Sequence, residues 1–135
     1  HLGRVDRISP ELRDELEQAV TITASNTGLT LGIAFDYGGR AEITNAARQM
    51  IADGVSANDV DESKVAEYLY TADMPDVDLL IRTGGDFRIS NFLLWQTAYS
   101  EFYSSEILWP DFFGEHIDKA FESFSERQRR FGKRA

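Results

Sequence analysis

Two largely apolar runs, each leading into a glycine pair, constrain this chain most. Leu29-Thr30-Leu31-Gly32-Ile33-Ala34-Phe35 runs into Asp36-Tyr37-Gly38-Gly39-Arg40, and Val77-Asp78-Leu79-Leu80-Ile81-Arg82 runs into Thr83-Gly84-Gly85. Short apolar runs without strict alternation read as strands buried on both faces. Helical patterns alternate with them. Ser9 is placed as an N-cap with Pro10 at the first helical position. Leu12, Leu16, Ala19 and Val20 then recur on one face, and Asn26-Thr27-Gly28 supplies the stop. A helix is expected from the Gly38-Gly39 loop to about Ala52, and another from about Glu62 to Leu69 with Asp61 as its cap. Ser90 is placed to cap a short apolar helix holding Phe92 to Trp95. Glu101-Phe102-Tyr103 reads as a brief strand and Trp109-Pro110-Asp111 as a turn. The last helix carries Ile117, Ala120, Phe121 and Phe124 on one face. Strands alternating with helices imply an α/β fold with a parallel sheet flanked by helices. No repeat or linker interrupts residues 1–135, which read as a single domain.

Charge narrows the function. The net charge is −9, yet residues 127–135 hold Arg127, Arg129, Arg130, Lys133 and Arg134 and no acid, so the rest of the chain carries −14. An acidic body excludes a broad nucleic-acid-binding face. The basic tail reads either as a solvated end that complements the negative pole of its helix or as a phosphate contact. There is no cysteine, hence no disulfide or thiolate metal site, which fits a reducing compartment. No apolar run reaches the roughly 20 residues that cross a bilayer. The chain opens on His1 in what reads as mid-strand, and upstream residues are expected to be missing.

Ligands of open α/β sheets bind beyond the carboxyl ends of the strands. The loop Arg82-Thr83-Gly84-Gly85-Asp86-Phe87-Arg88-Ile89-Ser90-Asn91 is the richer of the two such ends. Glycines let backbone approach a ligand closely, and guanidinium forks match phosphate oxygens bidentately. Ser90, at an expected helix start, adds a hydroxyl and free N–H groups. A diphosphate would use all of these. The other reading is a turn with surface charges, and spacing alone goes no further than an anion site. Glu101 is either a strand-end carboxylate paired with a neighbour or a magnesium ligand beside a diphosphate. The aromatic residues Phe92, Trp95, Phe102, Tyr103 and Trp109 read as core or subunit interface, and His116 as a surface histidine.

These residues resemble a known signature. Asp78 to Gly85, Arg88-Ile89-Ser90-Asn91-Phe92-Leu93-Leu94-Trp95-Gln96, Ala98-Tyr99, Glu101 and Leu108-Trp109-Pro110-Asp111-Phe112 look like the cis-prenyltransferases of the undecaprenyl diphosphate synthase kind. Thr23 to Leu31, Tyr37-Gly38-Gly39-Arg40 and the ending Arg129-Arg130-Phe131-Gly132 resemble that family too. The likeness covers nearly the whole chain and corresponds to about the second half of a full member.

The resemblance implies an enzyme that condenses isopentenyl diphosphate with an allylic prenyl diphosphate to make a cis-polyprenyl diphosphate. It implies that Arg82, Arg88 and Ser90 hold the isopentenyl diphosphate group and that Glu101 helps bind Mg2+. Arg130 and Gly132 would belong to a tail reaching the partner's site in a homodimer. Cytoplasmic residence with loose membrane contact through the lipid product follows, with no nucleic acid involved. The alternative is a non-catalytic partner subunit of a heteromeric enzyme. Four departures stand out. The family's Asp-Gly-Asn-Gly-Arg segment is absent, so the chain alone is expected to be inactive. Asp86 stands where Glu is usual, and Phe87 where a polar residue is common. Asp36 also stands where Asn is frequent. A half-domain of this kind is expected to dimerise or aggregate through exposed core.

Overall fold

The computed structural model describes residues 1–127 and divides the chain into two compact units, His1–Met74 and Pro75–Ala135. The first unit carries α1 (Pro10–Thr23), α2 (Gly39–Ala52), a 3-10 turn (Ala57–Asp59) and α3 (Glu62–Ala66). The second carries β1 (Leu79–Arg82), β2 (Glu101–Ser104), a 3-10 turn (Trp109–Asp111) and α4 (Gly114–Ser125).

In the first unit, α1 starts as expected. The Ser9 hydroxyl accepts the Leu12 N–H at 3.3 Å, and Pro10 occupies the first turn. It stops at Thr23, short of Gly28, because Val20-Thr21-Ile22-Thr23 is a β-branched series and both threonine hydroxyls donate back to the Glu17 and Ala19 carbonyls. Leu12 and Leu16 are half-buried, while Ala19 and Val20 on the same face are exposed.

The expected strand Leu29–Phe35 is not a strand. One parallel bridge joins Ala34 to Leu2, through Leu2 N–H to Ile33 O at 2.8 Å and Phe35 N–H to Leu2 O at 3.1 Å. Among the described residues no further ladder runs along it. Leu29 is 93% and Leu31 73% exposed, so the apolar run is uncovered rather than buried. An apolar run makes a strand only where a neighbouring segment pairs with its backbone groups along its length.

Helix α2 separates two faces cleanly. Glu42, Ala46 and Met50, four residues apart, are buried. Helix α3 begins with Asp61 Oδ1 accepting the Lys64 N–H at 2.7 Å. It ends at Ala66, earlier than expected. Tyr68 and Leu69 continue it with i→i−3 hydrogen bonds to Val65 and Ala66, a tighter turn that brings Leu69 into the interior.

In the second unit β1 and β2 pair in parallel, with Leu79 opposite Glu101 and Arg82 opposite Ser104. Helix α4 packs on β2 and buries Ala120 completely. Its start is sealed by His116, whose Nδ1 accepts the Phe113 N–H at 2.9 Å. His116 is thus a helix-capping residue with a largely buried ring, not a surface histidine. The helix expected after Ser90 is absent, and residues 90–99 form a series of turns. Ser90, Asn91 and Leu93 have φ of +52°, +65° and +45°, incompatible with an N-cap and first helical turn. Of the aromatic residues expected in a core or interface, Trp109 is exposed and stacks on Phe112 with ring centroids 6.5 Å apart. No helix among the described residues is long and apolar enough to cross a membrane.

Candidate diphosphate site

The second unit builds its site at the carboxyl end of β1. Arg82 is the last strand residue, and the chain turns through Gly84 and Gly85 at φ +86° and +78°. Only glycine takes this conformation without strain. Their N–H groups donate to Ile107 O and Ser105 O, each at 2.9 Å. These glycines therefore shape the turn and anchor it to the segment after β2, and their N–H groups are spent within the protein.

The turn brings Arg82 and Arg88 onto one atom. Asp86 Oδ2 accepts from Arg82 Nη2 at 3.1 Å and from Arg88 Nη2 at 2.6 Å. The Asp86 main-chain carbonyl in turn accepts from the Ser104 hydroxyl at 3.2 Å, which ties the loop to β2. Asp86 is the residue that sequence reasoning undervalued. Its position four residues after one arginine and two before the other was a usable signal. Arg82 and Arg88 line a cavity of about 290 Å3 with Leu80, Ile81, Ile89 and Phe92. A second, apolar cavity of about 230 Å3 shares Arg88 and Ile89 and is lined by Phe87 and Phe102. Phe87 is 80% exposed, and its ring meets Phe102 edge-on at 4.7 Å. The departure from a polar residue thus places an aromatic wall beside the arginine pair.

Ser90 lies on the same loop, but at positive φ and outside any helix, so the helix-end contribution expected of it is missing. Glu101 opens β2 and is not a solitary carboxylate. Its Oε2 accepts from Arg127 Nη1 at 3.0 Å, and the same nitrogen donates to Phe102 O at 2.9 Å. Arg127, the first residue of the basic tail, is therefore folded onto β2. Arg130 and Gly132 lie outside the described residues. No group of three or more His, Cys, Asp or Glu side chains suited to a metal occurs among the described residues. Glu101 alone nevertheless fits the habit of Mg2+, which takes one or two carboxylates and completes its shell with phosphate oxygens and water.

The arrangement can hold a phosphate group through two guanidinium forks, with apolar surface adjoining, at the place where open α/β sheets take ligands. A family model described as "Putative undecaprenyl diphosphate synthase" matches residues 1–132. The chain is 53% identical over 132 residues to an isoprenyl transferase of Neisseria meningitidis serogroup A, covering 98% of this chain and 52% of that protein. It is 46% identical over 135 residues to a ditrans,polycis-undecaprenyl-diphosphate synthase, (2E,6E)-farnesyl-diphosphate specific, of Photorhabdus laumondii, covering 97% and 53%. Among solved structures, lavandulyl diphosphate synthase from Lavandula x intermedia, in complex with dimethylallyl diphosphate, superimposes with a TM-score of 0.93 at 36% identity. That match covers 98% of this chain and 58% of the other. The chain thus spans about half the length of the curated relatives it matches.

Proposed function

This chain belongs to the undecaprenyl diphosphate synthase family, and from that premise we propose that it supplies the isopentenyl-diphosphate site of a cis-prenyl transfer reaction. The observation that carries the reading is the convergence of Arg82 and Arg88 on one anionic oxygen, at 3.1 and 2.6 Å. Asp86 occupies the position a diphosphate oxygen would take, and the ligand displaces it. Both arginines are partly solvent-exposed, so giving up this ion pair costs little. A diphosphate brings more charge and more acceptor oxygens than one carboxylate.

In the reaction the alkene of isopentenyl diphosphate attacks the first carbon of an allylic prenyl diphosphate. A carbon–carbon bond forms, the allylic carbon–oxygen bond breaks to release diphosphate, and a proton leaves to restore a double bond. Arg82 and Arg88 fix the isopentenyl diphosphate so that its alkene faces the allylic carbon, which supplies effective concentration. Ser90 adds a hydroxyl to the same group. Phe87 and Phe102 offer apolar surface to the hydrocarbon end. Mg2+, when bound, offsets diphosphate charge, and Glu101 would be its carboxylate here, exchanging Arg127 for the metal. Arg130 and Gly132 would complete a neighbouring copy's site in a homodimer. The acidic body excludes nucleic acid as a partner, and the lipid product gives a cytoplasmic protein loose membrane contact. The paired arginines weigh against a purely non-catalytic partner subunit, which has no use for them.

Titration calorimetry of the chain with isopentenyl diphosphate and Mg2+ tests this. Binding is expected, and Arg82→Ala or Arg88→Ala should weaken it at least about tenfold, the loss of one charge-assisted contact. Absence of binding, or affinity unchanged by both substitutions, overturns the assignment.

A further inference from the structure

We propose that the first unit holds a second anion site, on the outer face of α2, which takes a small and wholly polar phosphate compound such as inorganic diphosphate. The face opposite the buried Glu42, Ala46 and Met50 carries Arg40, Thr44 and Arg48, again four residues apart. The two arginines stand about 12 Å apart along the axis, from the rise per residue. The segment that follows Leu2 supplies the facing wall with Arg4, and together these residues line a cavity of about 560 Å3.

The charge placement is the argument. Residues 1–74 contain six Lys or Arg and thirteen Asp or Glu, a net charge of −7. Three of those six cations line this one cavity, against a single carboxylate, Asp6. Asp6 pairs with Arg4, Oδ1 to Nε at 3.0 Å and Oδ2 to Nη2 at 2.6 Å. Both partners are well exposed, so an incoming dianion can compete for Arg4. Asn45 and Gln49 add amide donors to the lining. The Thr44 hydroxyl donates to Arg40 O at 2.8 Å, so it contributes no donor to a ligand. Apart from Val5, Ala41 and Tyr70 the lining side chains are charged or polar, so the cations dominate what it can hold. That separates it from the Arg82–Arg88 site, where an apolar cavity adjoins the cations.

Amide chemical shifts of the whole chain, titrated with inorganic diphosphate and separately with isopentenyl diphosphate, test the proposal. Both ligands should move the amides of Arg4, Asn45 and Gln49, with dissociation constants within about threefold of each other because the cations dominate binding. In the Arg40→Gln/Arg48→Gln double variant these shifts should weaken at least tenfold, while any shifts of residues 82–90 stay unchanged. The Arg40→Lys/Arg48→Lys variant keeps the charge and should retain binding, a control that holds if the Gln variant misfolds. No shift at Arg4, Asn45 and Gln49 up to about 10 mM ligand overturns the site, as does binding that survives the Gln variant intact. Shifts at residues 82–90 report on the other site alone, so the two readings fail independently.

Discussion

The two glycine pairs look alike in sequence and work by different physics. Gly38-Gly39 starts a helix: Gly38 is extended at φ −163° and Gly39 is the first residue of the fourteen-residue α2. Gly84-Gly85 adopts φ +86° and +78° and starts no helix, folding instead onto the carbonyls of Ser105 and Ile107. The first pair is held by what lies beyond it. Glu42, 1% exposed, accepts from the Tyr37 hydroxyl and from the Tyr70 N–H at 2.9 Å, which ties the loop and the helix to a segment 28 residues away. The second pair is held by its left-handed backbone conformation together with hydrogen bonds to the segment after β2. A glycine pair after an apolar run therefore marks a chain reversal, but the buried partners decide whether it becomes a helix start or a left-handed turn.

The largest effect should come from breaking the first arrangement at Glu42. Glu42→Ala leaves the Tyr70 N–H without its acceptor and opens space beneath α2, at a cost of about 3 kcal/mol in urea unfolding. A loss under about 1 kcal/mol would mean that Glu42 is not what secures the loop. Next is Gly84→Ala. Its Cβ would meet only Leu108 Cδ2 at 3.9 Å, so the cost is backbone strain, about 1–2 kcal/mol. If the melting temperature is unchanged, the left-handed conformation at Gly84 is not what holds the turn.

Alkaline titration sharpens the same contrast. Burial, and then the Glu42 carboxylate, raise the Tyr70 phenol above its ordinary 10.0. The folded chain thus keeps a proton that the unfolded chain releases. This contribution is complete below pH 10 and is lost as pH rises through the folded value. Tyr68, raised chiefly by burial, acts in the same direction. Tyr70→Phe should therefore flatten part of the loss of stability above about pH 10 and leave the share of Tyr68, as read by unfolding at successive pH values. An identical decline in the variant would remove Tyr70 from the account. The smallest effect is expected at Asp86. Its two ion pairs are partly exposed, so Asp86→Ala should cost less than about 1 kcal/mol of stability while freeing Arg82 and Arg88 for an anion. Tighter isopentenyl diphosphate binding with little change in melting temperature is the expected pair of results.

What local chemistry governs was legible in the sequence. Ser9 and Asp61 cap helices because a short oxygen-bearing side chain before a periodic segment satisfies free N–H groups wherever it occurs. A strand ending at Arg82, another beginning at Glu101, and the gathering of Arg82 and Arg88 on one loop follow from apolar patterning and close spacing. Tertiary structure alone decided the rest. Leu29–Phe35 has the composition of a buried strand, yet a ladder needs neighbours, and among the described residues only Leu2 bridges to it. Ser90 has the residue type of a helix cap, yet the turn that precedes it leaves it at φ +52°. Glu101 owes its partner to Arg127, 26 residues on. Hydrogen bonds within a few residues depend on chain stiffness and side-chain reach, which the sequence states directly. Those across dozens of residues depend on which surfaces meet, and that is settled only when the chain is packed.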